Sequence, residues 1–411
     1  MKSQSSSSNI IVAVDIGTTK ICVLVAQQIS ADQVEILGIG KAPSAGIARG
    51  VVVDITQAVT AIRYAIKEAE LMSGYKIEQV YAGISGAHIQ ALSSEGIVPI
   101  KQQSVKSADI ASVIAAAQAI VIPEGQQIIH VLPQYYKIDG QRVKDPQGMF
   151  GIRLETKVHI ITGSVAAAQN IIRCCQLAGV CVKDIILEPL ASADSVLSSD
   201  EKELGVGILD IGGGTSDFAV FSQGAINFTK VFDIAGNHVT QDIALCLRTS
   251  IKDAERIKRE FSRAHLKGTI DLNQQFEVEM VQGGLSKMIY AYELIEVVSS
   301  RITELFYLLR TEIKRHELER LMPAGLVLTG GGSLLKEITE SAQTILEMPV
   351  RWGCPKVPIQ YKETLESPVY ATSYGLLLQI LSKEKVFMDT MNGPLINQIL
   401  WRMKSWVVDF F

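Results

Sequence analysis

From Ile10 onward the apolar residues follow two alternating patterns. Residues 10–26, IIVAVDIGTTKICVLVA, hold two β-branched runs around a Gly-Thr-Thr turn, which predicts a β-hairpin. Residues 34–40 predict a third strand. Residues 56–72, TQAVTAIRYAIKEAELM, place apolar side chains three and four apart, the period of a helix buried on one face. Further helices are expected over 108–122 and 164–179. A short buried strand over 185–187 precedes a helix from Pro189. Then the opening pattern returns: GVGILDIGGGTSDFAVFSQGAI reads as strand, glycine-rich turn, strand. Helical stretches follow over 252–263 and 286–316. Residues 324–335, AGLVLTGGGSLL, read as a strand running into a glycine turn and then a helix. Residues 372–382 form the last helix of the body. Residues 383–394 read as a linker, and 395–411 as a separate amphipathic segment.

The return is close in sequence as well as in pattern. VDIGTTKICVLV and LDIGGGTSDFAV each carry an aspartate at a strand end, then Ile-Gly, then a threonine in the turn. This predicts an α/β fold made by internal duplication, with the two copies facing each other.

The 411 residues suggest two or more domains. A net charge of −4 gives no reason to expect nucleic-acid binding, which usually shows a basic stripe. The 6 cysteines form no C-x-x-C pair, and the Cys174, Cys175, Cys181 group reads as small buried hydrophobes around a helix and the next strand. Such usage suits a reducing cytosol. The N-terminus, MKSQSSSSN, lacks the apolar core of a secretory signal, and residues 1–8 are expected to be disordered. The histidines show no metal-ligand spacing and read as structural or surface groups.

The glycine turns carry the chemistry. A turn with consecutive free N–H groups makes a concave anion site, and glycine lets the backbone approach a phosphate closely. Thr18, Thr19, Thr215 and Ser216 can add hydroxyl donors and Lys20 a positive charge. Asp15 and Asp210 end the strands beside these turns. A carboxylate next to a polyphosphate is repulsive unless a Mg²⁺ lies between them, often through its waters. A third glycine run, TGGGS at 329–333, follows an apolar strand and is a candidate floor for a nucleotide base. No P-loop and no dinucleotide-binding glycine motif occurs.

VDIGTTK, LDIGGGTSD and LTGGGS, in this order and spacing, resemble the two phosphate loops and the adenosine motif of the actin-like ATPase superfamily. DIAGNHVTQDI (233–243) resembles the superfamily stretch D-L-A-G-x-x-L-T. DAERIK (253–258) resembles the helix that supplies a Glu and a Lys to the nucleotide. Within the superfamily, ELGVGILDIGGGTSDFAVF, AGNHVTQDIA, VHIITG, AELMSGYKIEQVYAGISGAHI and HVLPQYYKID resemble the FtsA family of bacterial cell-division actin homologues, over about residues 9–382.

The resemblance implies a duplicated actin-like ATPase fold with ATP and Mg²⁺ in the cleft between two facing domains. The first domain spans 9–83 with 163–200 and 360–382. A small subdomain for self-association is inserted at 84–162. The second domain spans 201–359, with its own insertion at about 233–302. Residue by residue, Asp15, Gly17, Thr18, Thr19 and Lys20 line the first phosphate loop, and Asp210, Gly212, Gly213, Gly214 and Thr215 the second. Asp15 and Asp210 hold the metal. Gly236, Glu255 and Lys258 face the ribose and base, and Gly331 and Gly332 lie under the adenine. Glu188 stands where relatives position an attacking water, with at most weak ATPase activity expected. Arg301 matches a family arginine that receives the C-terminal tail of the tubulin-like division protein FtsZ, and Lys287 stands near a departure from the family pattern at 282–287.

The tail, LINQILWRMKSWVVDFF, places nine apolar side chains on an arc of about 160° at 100° per residue. Ile399, Leu400, Met403, Trp406, Val407 and Phe410 lie on it, with Arg402 and Lys404 at its edges and Trp401 off it. It reads as an amphipathic helix lying on a membrane surface. The resemblance then implies an ATP-binding scaffold that polymerises on the cytoplasmic face of the inner membrane, anchors FtsZ and recruits later division proteins. The alternatives are a pilus-assembly actin homologue, or a small-metabolite kinase, which has no need of a membrane helix. A chaperone ATPase would need a peptide-binding domain after residue 382.

Overall fold

A computed structural model describes residues 10–30, 33–264, 274–281 and 285–391, the last eight of these as backbone only. The amphipathic segment 395–411 and residues 1–8 lie outside the described residues.

The β-branched runs at the start form a meander of β1 (Ile10–Ile16), β2 (Lys20–Ser30) and β3 (Gln33–Pro43). A two-rung hairpin, β4 (Ile47–Ala48) and β5 (Val51–Val52), leads into α1 (Ile55–Ser73) and β6 (Gln79–Ile84). Asp54 caps α1 by accepting from the Gln57 N–H, and Gly74 ends it in the left-handed conformation. Next come β7 (Gln90–Pro99), α2 (Ser107–Gln118), β8 (Gln126–Ile138), β9 (Gln141–Val143) and β10 (Arg153–Ser164), which build a separate antiparallel sheet in the order β7-β10-β8-β9. The chain returns through α3 (Val165–Ala178), β11 (Cys181–Leu187), α4 (Glu188–Val196) and α5 (Ser199–Leu204).

The second half repeats the plan. It opens with β12 (Val206–Ile211), β13 (Ser216–Ser222) and β14 (Ala225–Phe232), followed by α6 (Gly236–Leu247) and α7 (Ile251–Phe261). Then come β15 (Gln275–Glu279), β16 (Ser286–Tyr290), α8 (Ala291–Arg315), β17 (Leu326–Thr329), α9 (Ile338–Leu346) and β18 (Val350–Trp352). A one-turn α10 (Lys362–Leu365) and α11 (Ala371–Met391) close the described chain.

The two main sheets have the same topology. The first runs β3-β2-β1-β6-β11 and the second β14-β13-β12-β17-β18. In each, an antiparallel meander is extended by two parallel strands on the side of its first strand. The duplication inferred from the two glycine motifs is therefore a duplication of whole sheets.

Alternate residues of β1 and β2 point to opposite faces and build two cores. Val14, Ile16, Val23 and Val25 pack with Ala58, Ile62, Ala65 and Ala69 of α1 and with Ile171, Cys174 and Cys175 of α3. Ile11, Ala13 and Leu24 pack with Leu376, Leu377 and Ile380 of α11. In the second sheet Leu209, Ile211 and Phe218 face α6, α8 and α9, while Ile208, Ala219 and Phe221 join the first core.

Three sequence expectations change. Cys181, read with Cys174 and Cys175 as a buried hydrophobe, is exposed at the first position of β11. Residues 286–290 were expected to open a helix but pair with β15 as a strand, and the helix begins at Ala291. Met288 and Tyr290 lie exposed beside buried Ile289, a short alternation that the following helical period hides. The last helix does not stop at 382: α11 continues through Met391 into the stretch expected to be a linker, whose residues 392–394 lie outside the described residues.

Candidate functional site

The two glycine turns have the same internal bond. Gly17 donates its N–H to the Lys20 carbonyl at 3.0 Å, and Gly212 donates to the Thr215 carbonyl at 2.9 Å. They face each other across the boundary between the domains. A Cβ placed on Gly213 would stand 2.2 Å from Thr19 Cγ2, and one on Gly214 would stand 2.4 Å from Thr18 Oγ1. Among the described residues no protein acceptor takes the N–H of Thr18, Thr19, Gly213 or Gly214. The second turn is braced from below, where Gly236 and Asn237 at the start of α6 donate to the Gly212 and Gly213 carbonyls at 3.0 and 2.8 Å.

Carboxylates gather behind the turns. Asp15 is 4% exposed and accepts from Lys20 Nζ at 2.7 Å and Ser373 Oγ at 2.6 Å. Asp210 accepts from Thr372 Oγ1 at 3.0 Å and from Ser192. Asp217, one strand residue beyond the second turn, accepts from Ser85 across the domain boundary. Glu188, the first residue of α4, lies against the backbone of Gly83. Burial, and then the charges of Asp15, Asp217 and Asp210, push the Glu188 carboxyl well above the usual carboxylate range. Burial likewise raises Asp210, and pushes Asp217 up to about 7. Burial alone would lower the Lys20 ammonium, but neighbouring Asp15 more than offsets it, so Lys20 is held charged.

The structure thus brings together Asp15, Gly17, Thr18, Thr19, Lys20, Glu188, Asp210 and the second turn. It adds residues the sequence reading left out: Asp217, and the hydroxyls of Ser85, Ser192, Thr372 and Ser373 that hold the carboxylates. Lys20, expected at phosphate, is paired with Asp15 here. Among the described residues no three acidic, His or Cys side chains are placed to ligate one ion directly. That donor set fits Mg²⁺, which keeps several waters and takes one or two carboxylates together with phosphate oxygens.

Gly236, Glu255 and Lys258, expected at the adenosine, lie beside the second turn. Lys258 donates to the Gly236 carbonyl at 3.0 Å and Thr240 Oγ1 at 2.8 Å, and pairs with Glu255 at 2.6 Å. Burial lowers the Lys258 ammonium; burial would raise Glu255, but its bonds to Lys258, Thr240 and Arg259 hold it low. At the third glycine run, a Cβ on Gly331 would make an ordinary contact with Val369 Cγ2 at 3.9 Å, whereas Gly332 backs onto Ile211. Gly330, not singled out from sequence, is the constrained one: its φ is +82°, and a Cβ would lie 2.1 Å from Asp210 Oδ1. The third run thus packs against the second aspartate.

Arg301 stands apart from this cleft, on α8. It makes a bidentate pair with Asp242 at 2.6 and 3.0 Å and bonds Glu304 at 2.6 Å. Lys287 is exposed on β16. Among the described histidines, His130 accepts from the Leu187 N–H, His238 from the Ala235 N–H and His159 meets Thr229, while His316 is exposed beside Glu312.

Comparison with known proteins agrees with the geometry. Residues 207–375 match the family model "Cell division protein FtsA", and residues 86–162, the separate sheet, match "SHS2 domain inserted in FTSA". Cell division protein FtsA of Pseudomonas aeruginosa is 44% identical over 409 residues, covering 98% of each chain. The Escherichia coli K12 protein is 36% identical over 91% of each chain. The Bacillus subtilis protein is 33% identical over 90% of this chain and 83% of its own. Among solved structures, the fold is shared with a PilM-PilN type IV pilus biogenesis complex chain (TM-score 0.64, 16% identity, 90% of this chain and 98% of that one). It is also shared with MreB 5 of Spiroplasma citri bound to AMPPNP (TM-score 0.58, 16% identity, 92% and 98%). The pilus and MreB chains share the architecture alone, whereas the division proteins share a third or more of the residues along nearly the whole length. With the actin-like fold, the inserted sheet and these relatives in one chain, the protein belongs to the FtsA family of cell division proteins.

Proposed function

We infer that the protein binds Mg-ATP between the two glycine turns and, in that state, serves as a membrane scaffold for division. It polymerises on the cytoplasmic face of the inner membrane at the division site. There it tethers FtsZ filaments by their C-terminal tails and recruits later division proteins. The observation that carries this is the facing pair of turns: two matched hairpins, each with acceptor-free N–H groups, each backed by a buried aspartate.

In the cleft, the N–H groups of Thr18, Thr19, Gly213 and Gly214, with the Thr18, Thr19 and Thr215 hydroxyls, receive phosphate oxygens. Asp15 and Asp210 hold Mg²⁺ through water, and the ion offsets the repulsion between these carboxylates and the polyphosphate. Gly236, Glu255 and Lys258 face the ribose and base, and the Gly331–Gly332 turn supports the adenine. Glu188 is the candidate base for an attacking water. Burial, and then the neighbouring carboxylates, raise its pKa and so favour the protonated form, which accepts no proton; this fits at most weak ATPase activity.

At the partner surface Arg301 already serves Asp242 and Glu304. A tail carboxylate must therefore compete for it, with exposed Lys287 as a second cation. Attachment to lipid rests on 395–411, through Ile399, Leu400, Trp401, Met403, Trp406, Val407 and Phe410, with Arg402 and Lys404 at the edges. Liposome flotation with ATP and FtsZ tests the whole reading. FtsZ should float only with this protein present and with residues 395–411 intact; flotation of this protein that leaves FtsZ at the bottom would overturn the tether.

A further inference from the structure

The inserted sheet belongs covalently to the first domain, entering after β6 and leaving into α3. Its polar contacts, however, reach the second. Ser85, at the root of the insertion, donates to Asp217 on β13. Gln134 on β8, 8% exposed, donates Nε2 to the Ile226 carbonyl at 3.0 Å. His159 on β10, 2% exposed, meets Thr229 Oγ1 at 3.1 Å. Ile226 and Thr229 lie on β14, the edge strand of the second sheet, whose outer side has no strand partner. Leu132 and Ala91 of the insertion pack on the same apolar cluster that holds Ile226. An edge strand that would otherwise be open is thus covered by a body that the chain attaches to the opposite domain.

We propose that the inserted subdomain is a strap across the nucleotide cleft: seated on β14, it holds the two domains closed, and nucleotide leaves only when that seat parts. The proposal rests on the cleft reading above and adds its regulation. Parting the seat gives up the buried Gln134–Ile226 hydrogen bond, the His159–Thr229 contact and the apolar packing of Leu132 and Ala91 on the cluster that holds Ile226. By linkage, any ligand or second copy of the chain that binds the seated subdomain better than the unseated one must tighten nucleotide binding, and nucleotide must tighten its binding by the same factor.

The test is dissociation of a fluorescent ATP analogue, bound with Mg²⁺, followed by stopped flow after chase with ATP. The Gln134→Ala, Thr229→Val double variant loses both polar contacts of the seat. It should release nucleotide about five to thirty times faster than wild type, the order expected for one or two lost buried contacts. Thr156→Val is the control. Thr156 is 2% exposed and donates to the Tyr135 carbonyl at 3.0 Å inside the same subdomain, so its off-rate should match wild type. Circular dichroism confirms that each variant is folded. Should the double variant fail to fold, Gln134→Leu alone is measured, with a several-fold faster release expected. A folded seat variant with the wild-type off-rate removes the strap, as does equal acceleration by Thr156→Val. Failure of the wild-type protein to bind the analogue removes the cleft reading, and the strap with it.

Discussion

Gly213→Ala is the sharpest perturbation of the cleft, because the clash it makes is with the opposite domain. The new Cβ would stand 2.2 Å from Thr19 Cγ2 and 3.1 Å from Thr19 Oγ1. Carbon atoms rest about 3.5–4.0 Å apart, so the turns must separate by about 1.5 Å or Thr19 must turn aside. Turning does not suffice, since Thr19 Cβ itself would be 3.2 Å away. Overpacking of this kind costs about 1–3 kcal/mol. If nucleotide binds with the turns closed, Mg-ATP affinity in calorimetry falls by a factor between about five and about one hundred and fifty. Thr19→Ala removes the two closest offending atoms and leaves only a tight contact. In that background the added cost of Gly213→Ala should shrink by about 1 kcal/mol or more, and the loss of the Thr19 hydroxyl itself cancels in the cycle. Wild-type affinity in Gly213→Ala would refute the reasoning. So would an equal loss in both backgrounds, which would mean the glycine acts without its facing partner.

Three further outcomes are expected. Asp217 is pushed up to about 7, above its unfolded value, so the stability it contributes is full at low pH and is lost as pH rises towards 7. Relative to Asp217→Asn, whose amide still accepts from Ser85, nucleotide-free wild type should lose thermal stability between pH 5 and pH 7.5, by at most about 1.4 kcal/mol per pH unit; parallel melting curves would sink the assignment. His159, depressed to about 4, shifts stability in the opposite direction from pH 4 to its unfolded value, but is common to both proteins and cancels. At the inserted sheet, Phe150 and Ile152 are 77% and 80% exposed, and Phe150→Asp with Ile152→Asp should abolish filaments on lipid in electron micrographs while leaving Mg-ATP affinity within about twofold; normal filaments would move self-association elsewhere. In the tail, Asp409 offsets one of the two charges of Arg402 and Lys404, so apolar burial at roughly 25 cal/mol per Å² must dominate. Trp406→Glu should cut liposome binding at least about tenfold, whereas high salt should do little; the reverse pattern would make charge the anchor.

What the sequence disclosed depended on how local the signal was. The hairpins β1–β2 and β12–β13 could be read because β-branched runs and their glycine turn lie within one short stretch, and α1 because its buried face keeps a strict period. The strand β16 was hidden because its five residues merge with the period of α8. The cleft was legible in its turns and aspartates but not in its supports. Ser85, Ser192, Thr372 and Ser373 come from three separate segments, and a serine in a small-residue stretch has no pattern that announces a carboxylate partner. Lys20 was expected at phosphate, whereas in the structure it pairs with Asp15, a partner that only the packed structure displays. The seat of the inserted sheet on β14 is a contact between distant parts of the chain and left no local trace.

The most direct measurement is photolabelling with 8-azido-ATP and Mg²⁺, followed by mass-spectrometric mapping of the modified peptides. The reactive group sits on the adenine, so label protected by excess ATP should fall on the peptides carrying Gly330–Lys336 or Glu255–Arg259, the two walls of the base site. ATP-protected label confined to any other part of the chain would contradict the placement of the nucleotide between the matched turns.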